Sequence, residues 1–175
     1  MAHISSLGSG IFSYLDMATA VTPATEDVAG YADVFVTANA ASITRMPSVR
    51  EFPAVGTPAN IVNVPVYGQN TSSQVQGQAD SPTLEITVNY VPADMEAIHA
   101  LVGTDAVFRF MMCASAQTEA EGLAGTMEVE NTEFYFKGKV EAILVNPQLT
   151  DSNTATVTLS SQSDFFGPGT IAPTP

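Results

Sequence analysis

Apolar and polar residues alternate with a period of two along most of this chain, and that alternation limits it to a fold built from half-buried strands. Val34, Val36 and Ala38 alternate with Asp33, Phe35, Thr37 and Asn39. Val62, Val64 and Val66 alternate with Ile61, Asn63, Pro65 and Tyr67, and Leu84, Ile86, Val88 and Tyr90 with Glu85, Thr87 and Asn89. Phe108, Phe110 and Met112 oppose Val107, Arg109 and Met111, and Ala155, Val157 and Leu159 oppose Thr154, Thr156, Thr158 and Ser160. The longest run, Phe134 to Val145, puts Phe134, Phe136, Val140, Ala142 and Leu144 on one face and Tyr135, Lys137, Lys139, Glu141, Ile143 and Val145 on the other. Pro65 marks its strand as an edge or a bulge, because proline has no N–H for a ladder. Gly138 marks a bulge or a close backbone approach.

One segment breaks the period. Pro92 opens a helix over 93–102 that ends at Gly103, with acids near its start and Met95, Ile98, Leu101 and Val102 as one apolar stripe. Gly103 suits a left-handed cap. The connections are too short for repeated βαβ units, so the predicted class is mainly β. The expected architecture is an antiparallel β-sandwich with one flanking α-helix, extended arms and a long loop. Residues 1–30 read as an N-terminal arm, 31–165 as the sandwich domain, and 166–175 as a C-terminal tail whose Gly and Pro content keeps it out of a sheet. Residues 69–82 form a long, polar, almost uncharged loop of the kind that is functional or disordered.

The charge restricts function. Of 175 residues, 18 are Asp or Glu and 5 are Lys or Arg, giving a formal net charge of −13 and a pI near 4.1. With 45% hydrophobic residues this acidity is not a sign of disorder. It argues against gripping duplex DNA, which needs Lys and Arg on phosphates, and against anionic membrane surfaces. The single Cys113 excludes an internal disulfide and a Cys-rich zinc site, and reads as a small buried hydrophobe. The apolar stretch Ile11 to Val21 contains Ser13 and Asp16 and follows no Lys or Arg, so no secretory signal is expected; no run approaches the ~20 residues of a membrane span. A soluble protein made in a reducing compartment is expected.

No catalytic constellation stands out. His3 and His99 are distant, no Gly-x-Ser-x-Gly elbow is present, and no glycine-rich phosphate loop occurs. Asp151-Ser152-Asn153 lacks the glycine and glutamate of a helical calcium loop and reads as a turn. Glu119, Glu121, Glu128, Glu130 and Glu133, spaced by Gly122 and Gly125, read as a solvated loop entering a strand. Asn70-Thr71-Ser72 is a formal glycosylation acceptor, meaningful only in a secretory route that the sequence does not indicate. Phe134 and Phe136 share the core face, leaving Tyr135 alone beside Lys137 and Lys139, too little for a base-stacking platform. No catalytic residue, metal or cofactor is assigned.

The phrase Thr57-Pro58-Ala59-Asn60-Ile61-Val62-Asn63-Val64-Pro65-Val66-Tyr67-Gly68, the Gln-rich loop, the stretch Ala79 to Pro92 and the single helix together resemble the major tail tube proteins of long-tailed bacteriophages with non-contractile tails. The Phe136-Lys137-Gly138-Lys139-Val140 strand and the Thr-rich strand to Leu159 are similar to the C-terminal half of that family. The resemblance spans Asp33 to Ser160 and rests on element order and short phrases. It implies a β-sandwich with a flanking helix, six copies to a ring, inner strands joined into a barrel, and rings stacked into a tube through which genome DNA passes. It implies as partners other copies, the tape measure, tail tip and terminator proteins, and passing DNA, with no membrane binding. Its place is the virion tail, assembled in the bacterial cytoplasm.

Under that resemblance the acidity gains a role, because a bore that lets a polyanion slide should be negative or neutral. Six copies carry about −80 per ring, felt through ~8–10 Å of screening. Candidate lining residues are Asp33, Glu51, Glu85 and Glu141 with Thr154, Thr156 and Thr158; the same acids would equally solvate an outer surface. Candidate contacts between rings are Gln69, Asn70, Gln74, Gln76, Gln78 and Asp80. The alternative is a β-sandwich receptor- or glycan-binding decoration of a virion, against which stands the absence of Trp.

Overall fold

A computed structural model describes residues 12–56, 60–68, 70–77, 82–113, 116–120 and 132–170. Its elements in chain order are β1 (Ser13–Ala18), α1 (Val28–Ala32), a 3-10 turn (Thr37–Ser42), β2 (Ile43–Arg45), β3 (Val49–Glu51), β4 (Ile61–Val64) and β5 (Ser73–Gln76). Then follow β6 (Thr83–Asn89), α2 (Pro92–Ala100), β7 (Asp105–Met112), β8 (Thr132–Asn146), β9 (Thr154–Ser161) and β10 (Phe166–Thr170). The fold is mainly β, and the ladders between these strands are antiparallel.

The longest alternation becomes the spine. β8 runs 15 residues; its first half pairs with β7 on one side and β10 on the other, and its second half pairs with β9. One strand thus belongs to both layers of a sandwich. The continuous strand order is β2-β1-β7-β8-β9-β6-β3, so the first and last strands are β2 and β3, joined in sequence by Met46-Pro47-Ser48. The chain closes the sandwich at that corner, as β8 does at the other. Between the layers lies the main core: Leu15, Met17, Phe108 and Phe136 from one, Ile86 and Val157 from the other, with Met95 and Ile98 of α2 at zero exposure. Helix α2 starts as expected with Pro92 in its first turn, and Gly103 beyond its end has φ +82.

Gly138 sits where β8 crosses between layers. A Cβ there would stand 2.4 Å from the Ser160 carbonyl oxygen and 3.2 Å from the Phe108 ring, so glycine answers a close approach. The bulge itself falls between Val140 and Ala142. It reverses the alternation expected for this run: Ile143 packs against the core, and Leu144 points outward at 60% exposure.

Other expectations are corrected. The segment 33–39 is not a strand. Asp27 caps α1 by accepting the Gly30 N–H at 2.7 Å, and Tyr31, Val34 and Phe35 are buried at helical rather than alternating spacing. The segment read as an arm supplies β1, which lies between β2 and β7 with Leu15, Met17 and Ala18 buried; residues 1–11 lie outside the described residues. The segment read as a tail supplies β10 against β8. A Cβ on Gly167 would lie 2.7 Å from the Glu133 carbonyl oxygen, and one on Gly169 would lie 2.8 Å from Val28, so these glycines permit close packing; residues 171–175 lie outside the described residues.

Candidate functional site

The sheet half formed by β3, β6, β9 and the end of β8 turns its second face to solvent. Cross-strand register builds that face row by row: Glu51 opposes Thr87, Thr87 opposes Thr156, and Thr156 opposes Leu144. Glu85 opposes Thr158 in the next row, and Asn89 opposes Thr154. At the bulge Glu141 accepts a hydrogen bond from the Ser160 hydroxyl at 2.6 Å, which aims it to the same side. The structure therefore gathers Glu51, Glu85, Glu141, Thr154, Thr156 and Thr158 on one face. Thr154 is nearly covered at 9% exposure, and Lys139, opposite Ser160, is the cation in these rows. Asp33 does not join them. It follows α1, which packs on the outer face of β7 and β8 around Val107 and Tyr135, so Asp33 is on the opposite flank of the sandwich.

The stretch read as a strand plus a long loop is a hairpin. Among the described residues β4 and β5 pair only with each other, Ile61 with Gln76 through Val64 with Ser73, and form a separate two-stranded sheet. Pro65 ends β4 and begins the turn. Both faces are exposed: Ile61 and Val75 are each 55% accessible, and Val62, Val64, Val66 and Tyr67 are open. Among the described residues, none of these packs into a buried cluster. From Phe52 to Ala79 no residue is charged. Of the candidate contact residues, Asn70, Gln74 and Gln76 are exposed on this hairpin, while Gln69, Gln78 and Asp80 lie outside the described residues.

The outer face of β1, β7 and β8 carries what sequence reasoning missed. That face was expected to be open and is covered by 28–45, with Tyr31, Val34 and Phe35 packed on Ala18, Val107 and Tyr135. Under the cover lies an ionic network. Arg109 donates to Asp16 at 2.7 Å and stands 3.5 Å from Glu133, while Arg45 donates to the other Asp16 oxygen at 2.8 Å and to the Gln117 carbonyl at 2.8 Å. Tyr135 donates its hydroxyl to Glu133. Asp16, Arg109 and Glu133 are each 2% exposed. Two acids and two cations balance, and pairing offsets part of the cost of burying them, although among the described residues Glu133 Oε1 has no hydrogen-bond donor and meets Arg109 only at ion-pair distance. Burial raises the Glu133 carboxyl above its ordinary range, against the opposing pull of Arg109. Tyr135, expected on an exposed basic face, is buried, and burial raises its phenol. The signal available in sequence was the isolated charge inside apolar runs, Asp16 in Tyr-Leu-Asp-Met and Arg109 in Phe-Arg-Phe-Met.

Two of the remaining three cations are also engaged. Lys137 donates to Glu26 at 2.7 Å and Arg50 lies 3.7 Å from Asp151. Among the described residues, Lys139 is the cation without an ion pair.

Among the described residues no three His, Cys, Asp or Glu side chains group as a metal site would require. His99 is exposed and meets Tyr90 edge-on at 6.3 Å. Asp151-Ser152-Asn153 is a turn, with Asn153 accepting the Gln148 N–H at 3.0 Å. Cys113 is buried, and its thiol is pushed up to about 11 by burial and by Glu133. Glu121, Glu128 and Glu130 lie outside the described residues.

No protein-family model and no curated protein sequence matches the chain. Solved structures do. The fold superimposes on the SPP1 tail tube, determined by solid-state NMR and cryo-EM, with a TM-score of 0.58 and 11% identity over 94% of this chain and 81% of that one. It also superimposes on a chain of the six-fold symmetrised anti-feeding prophage baseplate, with a TM-score of 0.56 and 9% identity over 95% of this chain and 98% of that one. The class is therefore an antiparallel sandwich of the phage tail-tube type. In particular, this chain has the fold of a tail-tube subunit along nearly its whole length.

Proposed function

We propose that this chain is the structural subunit of a long, non-contractile bacteriophage tail tube, polymerised as stacked hexameric rings around a bore that conducts genome DNA during ejection. The observation that carries this reading is the outward face of β3, β6, β9 and β8, where Glu51, Glu85, Glu141, Thr156 and Thr158 gather on a fold shared with the SPP1 tail tube. Its acids outnumber Lys139, the cation in the same rows, so the face repels phosphate on balance and a polyanion meets low friction. Like-charged copies need an uncharged surface in order to touch, and the β4–β5 hairpin is one. Copies in the virion tail, assembled in the host cytoplasm, would also meet tape measure, tip and terminator proteins. The role is structural rather than enzymatic.

Negative-stain microscopy of the purified protein across concentration and salt tests this. Rings and tubes with an open bore are expected; monomers at every condition, together with specific glycan binding, would refute it. Tubes built from Glu51→Lys/Glu85→Lys should release DNA more slowly than wild type.

A further inference from the structure

The segment that covers β1, β7 and β8 leaves the sheet and returns to it at one place. Ala18, the last residue of β1, is the cross-strand partner of Ile43, the first of β2, so residues 19–42 form an excursion whose two ends are pinned side by side. None of the described ladders includes a residue of 19–42, and the backbone there bonds to itself. The N–H groups of Tyr31, Asp33, Val34 and Phe35 donate to the carbonyls of Asp27, Ala29, Tyr31 and Ala32. Ring contacts and the exposed Glu26–Lys137 pair hold the segment down. Tyr31 stacks on Phe166 with centroids 4.9 Å apart, Phe35 meets Tyr135 at 6.0 Å, and the Arg109 guanidinium lies 4.6 Å from the Phe35 ring. The buried residues of this cluster are distinct from those of the main core.

Closure carries a polar cost. Arg109 and Tyr135, on which the segment sits, are also the groups that hold Glu133. Among the described residues Glu133 Oε1 and the buried Tyr31 hydroxyl have no hydrogen-bond partner, and water supplies one to each once the segment lifts. We infer that residues 19–42 are a lid that opens as a unit over a folded sandwich, with Glu133 as its proton-sensitive catch. A protonated Glu133 tolerates burial and favours the closed lid; an ionised one is better served by water and favours the open lid. Burial raises its carboxyl in the closed state, which is the sign this coupling requires. The groups facing it are Asp16 from β1, Arg109 from β7 and Tyr135 from β8. Arg45 of β2 holds Asp16, Tyr31 of α1 meets Tyr135 at 6.1 Å, and β10 brings no titratable side chain. Cys113 beside them is pushed up to about 11 and stays neutral. Asp27 works in the opposite direction: the Gly30 N–H and the Thr25 hydroxyl hold it below its ordinary value, so its ionisation favours the capped, closed lid.

Native-state hydrogen exchange of the full chain, below any concentration at which it assembles, tests both parts. In low urea the amides of Tyr31, Asp33 and Phe35 should open more readily than those of the central strand β9, and with a smaller urea slope, because less surface is exposed. After correction for the intrinsic amide rate, the lid's opening constant should climb by up to about tenfold per pH unit from the ordinary 4.5 and level off above the raised value. In Glu133→Gln, which stays neutral, that climb should vanish. Tyr135→Phe keeps the ring contacts and removes a donor to the ionised carboxylate, so there the levelling-off should move to higher pH. Lid amides that share the urea slope of β9 would overturn the lid. A climb retained in Glu133→Gln, or a profile unmoved in Tyr135→Phe, would overturn Glu133 as its catch.

Discussion

Glu133 is one residue through which pH acts on this fold. Its carboxyl is raised above the ordinary 4.5 by burial, so the folded chain holds that proton more tightly than the unfolded chain. The contribution is favourable below the unfolded value and is lost as pH rises through the raised folded value. Glu133→Gln cannot titrate, so urea unfolding across that window should show stability falling for wild type and a shallower course for the variant. Parallel curves would mean that Glu133 does not carry the slope. None of this was legible in the sequence, because Asp16 and Arg109 are 93 positions apart and meet only when β1 pairs with β7. Local alternation reports which face a residue takes, and says nothing of whether a second layer covers that face. The alternation therefore put Arg109 opposite Phe108 and Phe110 without showing that the 28–45 segment covers its side.

Among the elements, β6, β7, β8, β9 and α2 were legible, since each has enough residues for its period to declare itself and each buries one face in the main core. β1 and β10 were not. The first is 6 residues with an aspartate among its buried positions, and the second holds two glycines that look like a tail until their contact with β8 is known. The hairpin was half legible: Val62 and Val64 gave β4, but alternation does not report that both of its faces are exposed among the described residues. Acid and hydroxyl positions on β6 and β9 were placed on their face by parity alone, whereas Asp33 was misplaced with the helix that was read as a strand. Gly138 gives the sharpest element-level prediction. Gly138→Ala forces a Cβ toward the Ser160 carbonyl, which is backbone and cannot swing away, so β8 and β9 must part. A loss of about 1–3 kcal/mol in urea unfolding is expected; a change within about 0.5 kcal/mol would show that the strands yield there.

For the whole molecule, the proposed tube sets short-range apolar contact against long-range repulsion among copies of net charge −13. Screening length falls from about 30 Å at 0.01 M salt to about 8 Å at 0.15 M. The critical concentration for assembly, read by sedimentation or light scattering, should therefore drop steeply over that range and level off above it. A critical concentration that rises with salt would instead point to ion pairs between copies.

The shared strand has a mechanical consequence. Because β8 runs without a break through both halves of the sandwich, a load between the halves passes along covalent backbone rather than across a row of hydrogen bonds. The sandwich therefore has no hinge at the crossing, and its two halves move as one stiff tile.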